Sequence, residues 1–223
     1  MLNRELSWGY SVLARADRPS VKLRISDFLN RLLGFLPMRA RPATADRDSD
    51  NYFKLGSQYY LAARAATFAG CFPVAGNLFH HAVELYVKGD LITELSRTRL
   101  KMYGHNLKRL WAAYKKRHRT VDLSRHDPHI TKLHKFEKIR YPDSITDRGM
   151  WGTIAVAPPS TAPTMRVASG EVPPSYHLVV NDIDQVIRSI FDTTSRNPDY
   201  FFGSITLEGR TILHRDNPAF PGE

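Results

Sequence analysis

The chain has 223 residues, a net charge of +10 and 42% hydrophobic residues, and its 24 aromatic side chains can fill a sizeable core. This composition excludes a fully disordered chain and favours one domain with extensions. The single cysteine, Cys71, excludes a disulfide framework and a cysteine-rich zinc site, and it is typical of a reducing compartment. The sequence shows no secretory signal and no apolar run of the roughly 18 residues that suggest a membrane helix. We therefore expect a cytoplasmic protein with no transmembrane segment.

The positive charge is concentrated in one part of the chain. Residues 97–140 contain fourteen Lys and Arg against three acidic residues, so this segment carries +11 and the rest of the chain sums to −1. Such a concentration is typical of a surface that binds a polyanion, and it is also typical of a solvated helical face.

Residues 1–50 have the pattern of an N-terminal arm. Segment 21–36 is amphipathic, with apolar side chains three and four residues apart, and Pro37 ends it. A polar linker follows at 38–50. We expect helix 21–36 to dock on the body of the protein, with subunit pairing and contact with a membrane surface as the alternatives.

The body begins near Asp50 with a run of predicted helices. They cover 51–70, Pro73 to about Thr98, 106–118 and a segment from about Pro128 to Tyr141. Gly70 is a typical residue at a helix C-terminus. Asp122, Ser124 or Asp127 is expected to cap the fourth helix, with Pro128 in its first turn.

The pattern changes after Pro142. The segments WGTIAVA (151–157), MRVAS (165–169) and YHLVV (176–180) have the composition of short strands. A fifth helix is predicted over 181–196, capped by Asn181 or Asp182, and a small hairpin turning at Glu208–Gly209 is predicted over 203–216.

The predicted organisation is an arm at 1–50, a helical domain at 51–200 with a β-rich insertion at about 144–180, and a C-terminal tail or hairpin at 201–223. The fold class is therefore mainly α, an antiparallel helical bundle with small β additions near the C-terminus.

Three segments stand in an order that is similar to a known family: FHHAVELYVKG (79–89), GHNLKRL (104–110) and FEKIRYPD (136–143). The chain thereby resembles the HEPN domain, the higher-eukaryote and prokaryote nucleotide-binding helical family. The resemblance implies an antiparallel helical bundle over about 51–143, closed by helix 181–196, and a homodimer with a cleft between protomers. Many members are metal-independent ribonucleases with an Arg followed, after four to six residues, by a His. After Arg140 the chain has Ile145, Thr146 and Asp147 in those places.

His80, His81, Glu84 and Lys88 interrupt an otherwise apolar helix. Adjacent helical residues point about 100° apart, so the two histidines do not easily face one metal ion. We expect His80 or His81 to hydrogen-bond a neighbouring helix and Glu84 to pair with Lys88 on the surface. A metal shared by His80 and Glu84 at i,i+4 spacing is the alternative, and no metal or other cofactor is expected.

The basic segment supplies the candidate residues for binding RNA or a nucleotide. His105 and Asn106 stand at a predicted helix start, where free N–H groups attract phosphate; simple capping of the helix is the alternative. The candidate set consists of the basic residues around this start and farther along the segment: Lys101, His105, Lys108, Arg109, Lys115, Lys116 and Arg140.

The candidate catalytic residues are Arg125, His126 and His129, from the segment RHDPH. A histidine can transfer protons at neutral pH, and an Arg can stabilise the negative charge that develops during RNA cleavage. The predicted function is a non-catalytic nucleotide- or RNA-binding module that forms a homodimer. The alternatives are a metal-independent endoribonuclease of a toxin–antitoxin or defence system and a protein-interaction module that docks through helix 21–36.

Overall fold

The computed structural model of the protein describes residues 43–141, 150–157 and 174–222. These residues belong to the chain unit that begins at Arg41. They are mainly helical, with a small two-stranded parallel sheet. The elements are α1 (Ala43–Phe68), α2 (Val74–Leu91), α3 (Arg97–Lys101), α4 (Leu107–Arg117), a 3-10 helix (Ser124–His126), α5 (Asp127–His134), a second 3-10 helix (Lys135–Arg140), β1 (Trp151–Ala155), β2 (Ser175–Val179), α6 (Val180–Thr194), α7 (Pro198–Phe202) and α8 (Leu207–His214).

Two of the predicted segments, helix 21–36 and strand 165–169, lie outside the described residues. Among the residues that are described, no helix has the length and apolarity needed to cross a membrane.

Helices α1 and α2 form a long antiparallel pair. Ser49, near the start of α1, donates a hydrogen bond to the carbonyl of Gly89 near the end of α2. Farther along the two helices, the hydroxyls of Ser57 and Tyr86 are hydrogen-bonded, with Ser57 Oγ 2.9 Å from Tyr86 Oη. The polar segment 43–50 is therefore helical, and the prediction of a linker up to residue 50 is wrong there.

Helix ends follow local chemistry in most places. Gly70 has φ +70° after α1, which is the left-handed conformation expected of a glycine at this position. Helix α2 ends at Leu91 and not near Thr98, because Ser96 caps a separate short helix, α3, through a hydrogen bond from the N–H of Arg99.

Helices α4 and α5 lie close to their predicted positions. Asn106 caps α4 by accepting a hydrogen bond from the N–H of Arg109. Pro128 stands in the first turn of α5, but the residue before that helix is His126, so none of the three predicted caps fills this position. Tyr141 is extended, with φ −112° and ψ 140°, as its position before Pro142 requires.

The C-terminal part differs most from its prediction. Strands β1 and β2 pair in parallel, with Trp151 opposite Ser175. Strand β2 continues directly into α6, whose N-cap is Val179 with no side-chain hydrogen bond, so the predicted caps Asn181 and Asp182 are wrong.

The predicted hairpin over 203–216 is also wrong, because α8 occupies Leu207–His214. The Thr206 side chain accepts a hydrogen bond from the N–H of Gly209 and caps this helix. Gly209 is therefore in the first turn of a helix and not at the tip of a β-turn.

A buried ion pair joins α8 and its following segment to α1 and α6. Arg64 pairs with Asp184 and also donates to the carbonyls of Ile212 and Arg215, and both charged side chains are fully buried. Tyr60 donates to the same carboxylate at 2.6 Å. The residues after position 200 thus pack on the helical core and are an integral part of the domain. They do not form the tail or hairpin that the sequence predicted.

Candidate functional site

The first two of the family-like segments meet at the carboxylate of Glu84. Lys88 Nζ lies 2.6 Å from Glu84 Oε1 and also donates to the carbonyl of Gly104 at 2.8 Å. His105 Nδ1 lies 3.0 Å from Oε1 and 3.1 Å from Oε2 of the same carboxylate. Glu84 is 3% exposed, so this contact is in the protein interior and not on the surface as the sequence predicted.

The third segment reaches the same place from the second 3-10 helix. Arg140 Nη2 lies 3.1 Å from His81 Nε2, and Arg140 Nη1 lies 3.4 Å from Glu137 Oε1. The rings of His81 and His105 are 5.8 Å apart. We call the group formed by His80, His81, Glu84, Lys88, His105, Glu137 and Arg140 the Glu84 cluster.

A glycine in α2 allows the second 3-10 helix to approach so closely. A Cβ atom on Gly76 would lie 2.0 Å from the ring of Phe136, so only glycine leaves room for that ring against α2. Asn77 Nδ2 then donates to the carbonyl of Phe136 at 3.2 Å. This contact brings Glu137 and Arg140 to the histidines of α2.

The two adjacent histidines face the same carboxylate oxygen. Nδ1 of His80 and Nδ1 of His81 each lie 3.8 Å from Glu84 Oε2. Glu84 is four residues after one histidine and three after the other, and both spacings place side chains on one helical face. Both rings therefore lie near one carboxylate oxygen, although adjacent helical residues point about 100° apart.

His80 is the most unusual member of the cluster. It is fully buried, and neither ring nitrogen has a hydrogen-bond partner in the described part of the chain. Glu137 Oε2 lies 3.6 Å from His80 Nδ1 and is likewise buried without a hydrogen bond among these residues. Burial lowers the pKa of His80 to about 3, so the ring is neutral at physiological pH. His81, and not His80, makes the expected hydrogen bond to a neighbouring helical segment.

The electrostatic balance keeps Glu84 ionised. Burial raises its pKa, but the hydrogen bond and charge of Lys88, followed by those of His105, outweigh that effect and lower the pKa overall. Burial lowers the pKa of His81, and the charge of Arg140 lowers it further. The cluster therefore combines an ionised carboxylate with the neutral imidazole rings of His80 and His81.

The predicted binding residues separate into two groups in space. His105 and Arg140 belong to the Glu84 cluster, and Lys108 lies close enough to His134 for its charge to lower that histidine's pKa after the larger effect of burial. Lys115 is at the opposite end of α4 and pairs with Asp127 at 2.6 Å. Lys115 is seven positions after Lys108, which corresponds to about 10 Å along a helix.

The remaining predicted binding residues are exposed. Lys101 lies on α3, Lys116 lies near the end of α4, and Arg109 lies with its guanidinium 5.7 Å from the centre of the Tyr103 ring. Lys101 and Arg109 are close in sequence to His105, whereas Lys116 is at the same end of α4 as Lys115.

Arg125, His126 and His129 lie together, as the sequence predicted, but outside the Glu84 cluster. His126 Nε2 lies 3.2 Å from Arg125 Nε and 2.9 Å from Ser189 Oγ on α6, and His126 is 3% exposed. His129 Nδ1 lies 3.0 Å from Asp182 Oδ2. Burial, followed by the charge of Arg125, lowers the pKa of His126 to about 4. The catalytic assignment of Arg125, His126 and His129 stays a prediction. Nε2 of His126 is already in contact with two hydrogen-bond donors, Arg125 and Ser189.

The sequence analysis favoured a structural role for His80, His81, Glu84 and Lys88, with a metal shared by His80 and Glu84 as the alternative, and it gave no role to Glu137. One local signal was available, because His80, His81, Glu84 and Lys88 follow helical spacing along α2. The contact between His81 and Arg140 joins residues 59 positions apart, and no sequence spacing predicts it.

No family model matches the chain, and neither the curated proteins nor the solved structures contain a significant match to it.

Proposed function

We propose that the protein binds RNA or a nucleotide at the solvent-facing side of the Glu84 cluster. The observation that carries this proposal is the convergence of the segments 79–89, 104–110 and 136–143 on the Glu84 cluster, with His105 and Arg140 at its accessible edge. The side chain of His105 is 48% exposed and that of Arg140 is 32% exposed, so a phosphate can reach both.

The excess positive charge at this edge comes from flanking residues. Within the cluster, Glu84 and Glu137 balance Lys88 and Arg140. Lys101, Lys108 and Arg109 form no ion pair with an acidic residue in the described part of the chain. Unpaired surface cations near a guanidinium that can bind phosphate in a bidentate manner are the groups that a polyanion requires.

The resemblance to the HEPN family supports the same proposal. It adds a helical bundle, a homodimer and a cleft between the two protomers to what we propose for this chain. A dimer would place two copies of the Lys101–Arg109 segment on one particle, and each copy would contribute to the attraction of a long polyanion.

The test is a binding titration with a fluorescently labelled single-stranded RNA at low and moderate salt. We expect the affinity of the wild type to fall steeply between about 50 and 200 mM salt, since binding releases counterions. Lys108→Gln and Arg140→Gln are each expected to weaken binding and to reduce the salt slope by about 1. Competition with a mononucleotide distinguishes a nucleotide site from an extended RNA site.

The matched control is Lys54→Gln, which removes one positive charge from α1 outside the basic segment. It is expected to leave the affinity and the salt slope unchanged. Equal losses in Lys54→Gln and Lys108→Gln would show nonspecific attraction and would contradict a site at the Glu84 cluster.

A second candidate function is a metal-independent endoribonuclease, favoured by the 3.1 Å contact between Arg140 and His81. The histidine that the family spacing places after Arg140 is missing in sequence, but a histidine from α2 stands beside this arginine. His81 and His105 can serve as proton acceptor and donor, and Arg140 can stabilise charge on the phosphorus-bound oxygens.

Incubation of the same RNA with the protein in EDTA separates the two functions. The leading proposal expects binding without cleavage. Cleavage that is abolished in both His81→Gln and Arg140→Gln, but retained in His126→Ala and His129→Ala, would establish the ribonuclease. Cleavage that depends on His126 or His129 would instead favour the residues predicted from the sequence.

A further inference from the structure

We infer that His80, His81 and Glu84 form a binding site for one divalent transition-metal ion, with the ligand chemistry of Zn²⁺. The site lies on the buried side of the Glu84 cluster and goes beyond the proposed binding of RNA or nucleotide. Imidazole nitrogens and a carboxylate oxygen are the ligands that zinc takes in three-ligand sites with a fourth open position.

The spacing of the three groups fits such an ion. One ligand atom from each residue lies within 4.8 Å of the other two. The two distances from Nδ1 atoms of His80 and His81 to Glu84 Oε2 are both 3.8 Å. Zinc–ligand distances of about 2.0–2.2 Å in a tetrahedron place ligand atoms about 3.3–3.6 Å apart. Each of these two distances would therefore need to shorten by only a few tenths of an ångström on metal binding.

The state of His80 is the independent observation that indicates a ligand. This ring is fully buried, it points into the cluster, and neither nitrogen has a hydrogen-bond partner in the described residues. Buried polar groups in proteins are almost always hydrogen-bonded, so an exception requires a reason. A metal ion on Nδ1 would supply a partner for that nitrogen.

Neighbouring side chains hold the ligands in place. Lys88 contacts Glu84 Oε1 at 2.6 Å, and His105 Nδ1 lies 3.0 Å from Oε1 and 3.1 Å from Oε2, which fixes the carboxylate. Oε2 also faces His80 and His81. Glu137 Oε2 lies 3.6 Å from His80 Nδ1, where it can join as a fourth ligand or accept a hydrogen bond from a metal-bound water.

The hydrogen bond from Arg140 to His81 competes with metal binding. The inference therefore predicts that removing Arg140 increases the affinity for metal. Arg140 donates to His81 Nε2, so the neutral ring carries its proton on Nδ1. Coordination through Nδ1 moves that proton to Nε2 and breaks the hydrogen bond from Arg140. Removal of the arginine should therefore strengthen metal binding, although it weakens the binding of RNA under the proposed function.

The experiment is a titration of the purified full-length protein, freed of metal with EDTA and transferred to chelator-free buffer, with Zn²⁺ alone by calorimetry. Co²⁺ serves as a spectroscopic substitute that reports the coordination number. We expect one equivalent of metal per chain. His80→Gln and His81→Gln are each expected to weaken binding at least about 100-fold, and Arg140→Gln is expected to tighten it several-fold.

The matched control is His118→Gln, because His118 also pairs with a carboxylate, Asp90 at 2.8 Å, but belongs to no three-ligand group within the described residues. Unchanged metal binding in this variant supports the site. Thermal unfolding in EDTA shows whether each variant is folded, and His81→Gln serves as the test if His80→Gln is not. The absence of saturable binding in the wild type, or equal losses in His118→Gln and His81→Gln, would overturn the inference.

Discussion

Two networks of polar side chains, one around Arg64 and Asp184 and the other the Glu84 cluster, differ in how completely their atoms are hydrogen-bonded. Around Arg64 and Asp184, every side-chain nitrogen and oxygen of the ion pair and of Tyr60 and Asn217 has a partner. In the Glu84 cluster, both ring nitrogens of His80 and one oxygen of Glu137 have none in the described part of the chain.

The difference indicates different roles for the two groups. The Arg64 network joins α1, α6 and the C-terminal segment, and complete hydrogen bonding is what an interior ion pair requires to be compatible with a stable fold. The Glu84 cluster retains unsatisfied groups, which lower stability unless a ligand contacts them. The Arg64 network therefore has a structural role, whereas the unsatisfied groups of the Glu84 cluster are consistent with the ligand binding that we propose.

The largest expected effect is in the Arg64 network. Arg64→Leu leaves the carboxylate of Asp184 buried without its cation, and we expect the free energy of unfolding to fall by about 3–5 kcal/mol. Urea denaturation of the full-length protein measures this change.

The control for that variant is Arg188→Leu, which removes an arginine from an exposed i,i+4 pair with Asp192. Exposed pairs contribute roughly 0–1 kcal/mol, so its unfolding should remain close to that of the wild type. Similar small losses of stability in both variants would show that the Arg64 network does not stabilise the fold.

An intermediate effect is expected from the pH dependence of His80. Its pKa is about 3 in the folded protein and 6.5 when unperturbed, so the unfolded chain binds the proton more strongly. The stability contributed by the neutral ring is complete above pH 6.5 and is lost as the pH falls toward 3. Between about pH 6.5 and 5 the loss is roughly 1.5–2 kcal/mol.

His80→Phe keeps a ring in the core and removes this proton-binding group. The free energy of unfolding of the wild type, measured by urea denaturation at several pH values, should therefore fall by that amount relative to that of the variant on acidification. His126→Phe should show a similar change, because the pKa of His126 is about 4. If the relative stability of wild type and variant does not change with pH, burial does not lower the pKa of His80, and the ring lies in a more polar environment than the fold indicates.

The smallest expected effect concerns the turn that carries His105. Asn106→Ala removes the side-chain cap of α4 and should cost about 1 kcal/mol, whereas Asn106→Gly should cost only a few tenths. Thermal unfolding measures both. Weaker RNA binding in Asn106→Ala than in Asn106→Gly would show that the cap positions His105 in the proposed site, and equal binding would separate the cap from that site.

Helices with a strong local signal were predictable from sequence. The apolar spacing in α2 and α4, Gly70 after α1 and Asn106 before α4 are short-range features, and the structure confirms each of them. The hairpin prediction for 203–216 failed for a local reason as well. Glu208–Gly209 has the composition of a turn, but Thr206 caps a helix through the N–H of that glycine.

The sequence by itself therefore determined a mainly helical fold with a small β element and a charge concentrated at 97–140. Only the tertiary structure decided that Glu84, His105 and Arg140 meet, that His80 is buried without a partner, and that Lys115 lies at the other end of α4. Periodicity and capping act within a few residues, so the sequence shows them directly. The Glu84 cluster depends on the packing of Phe136 against Gly76, sixty residues apart in the chain, and such contacts are fixed only when the helices come together.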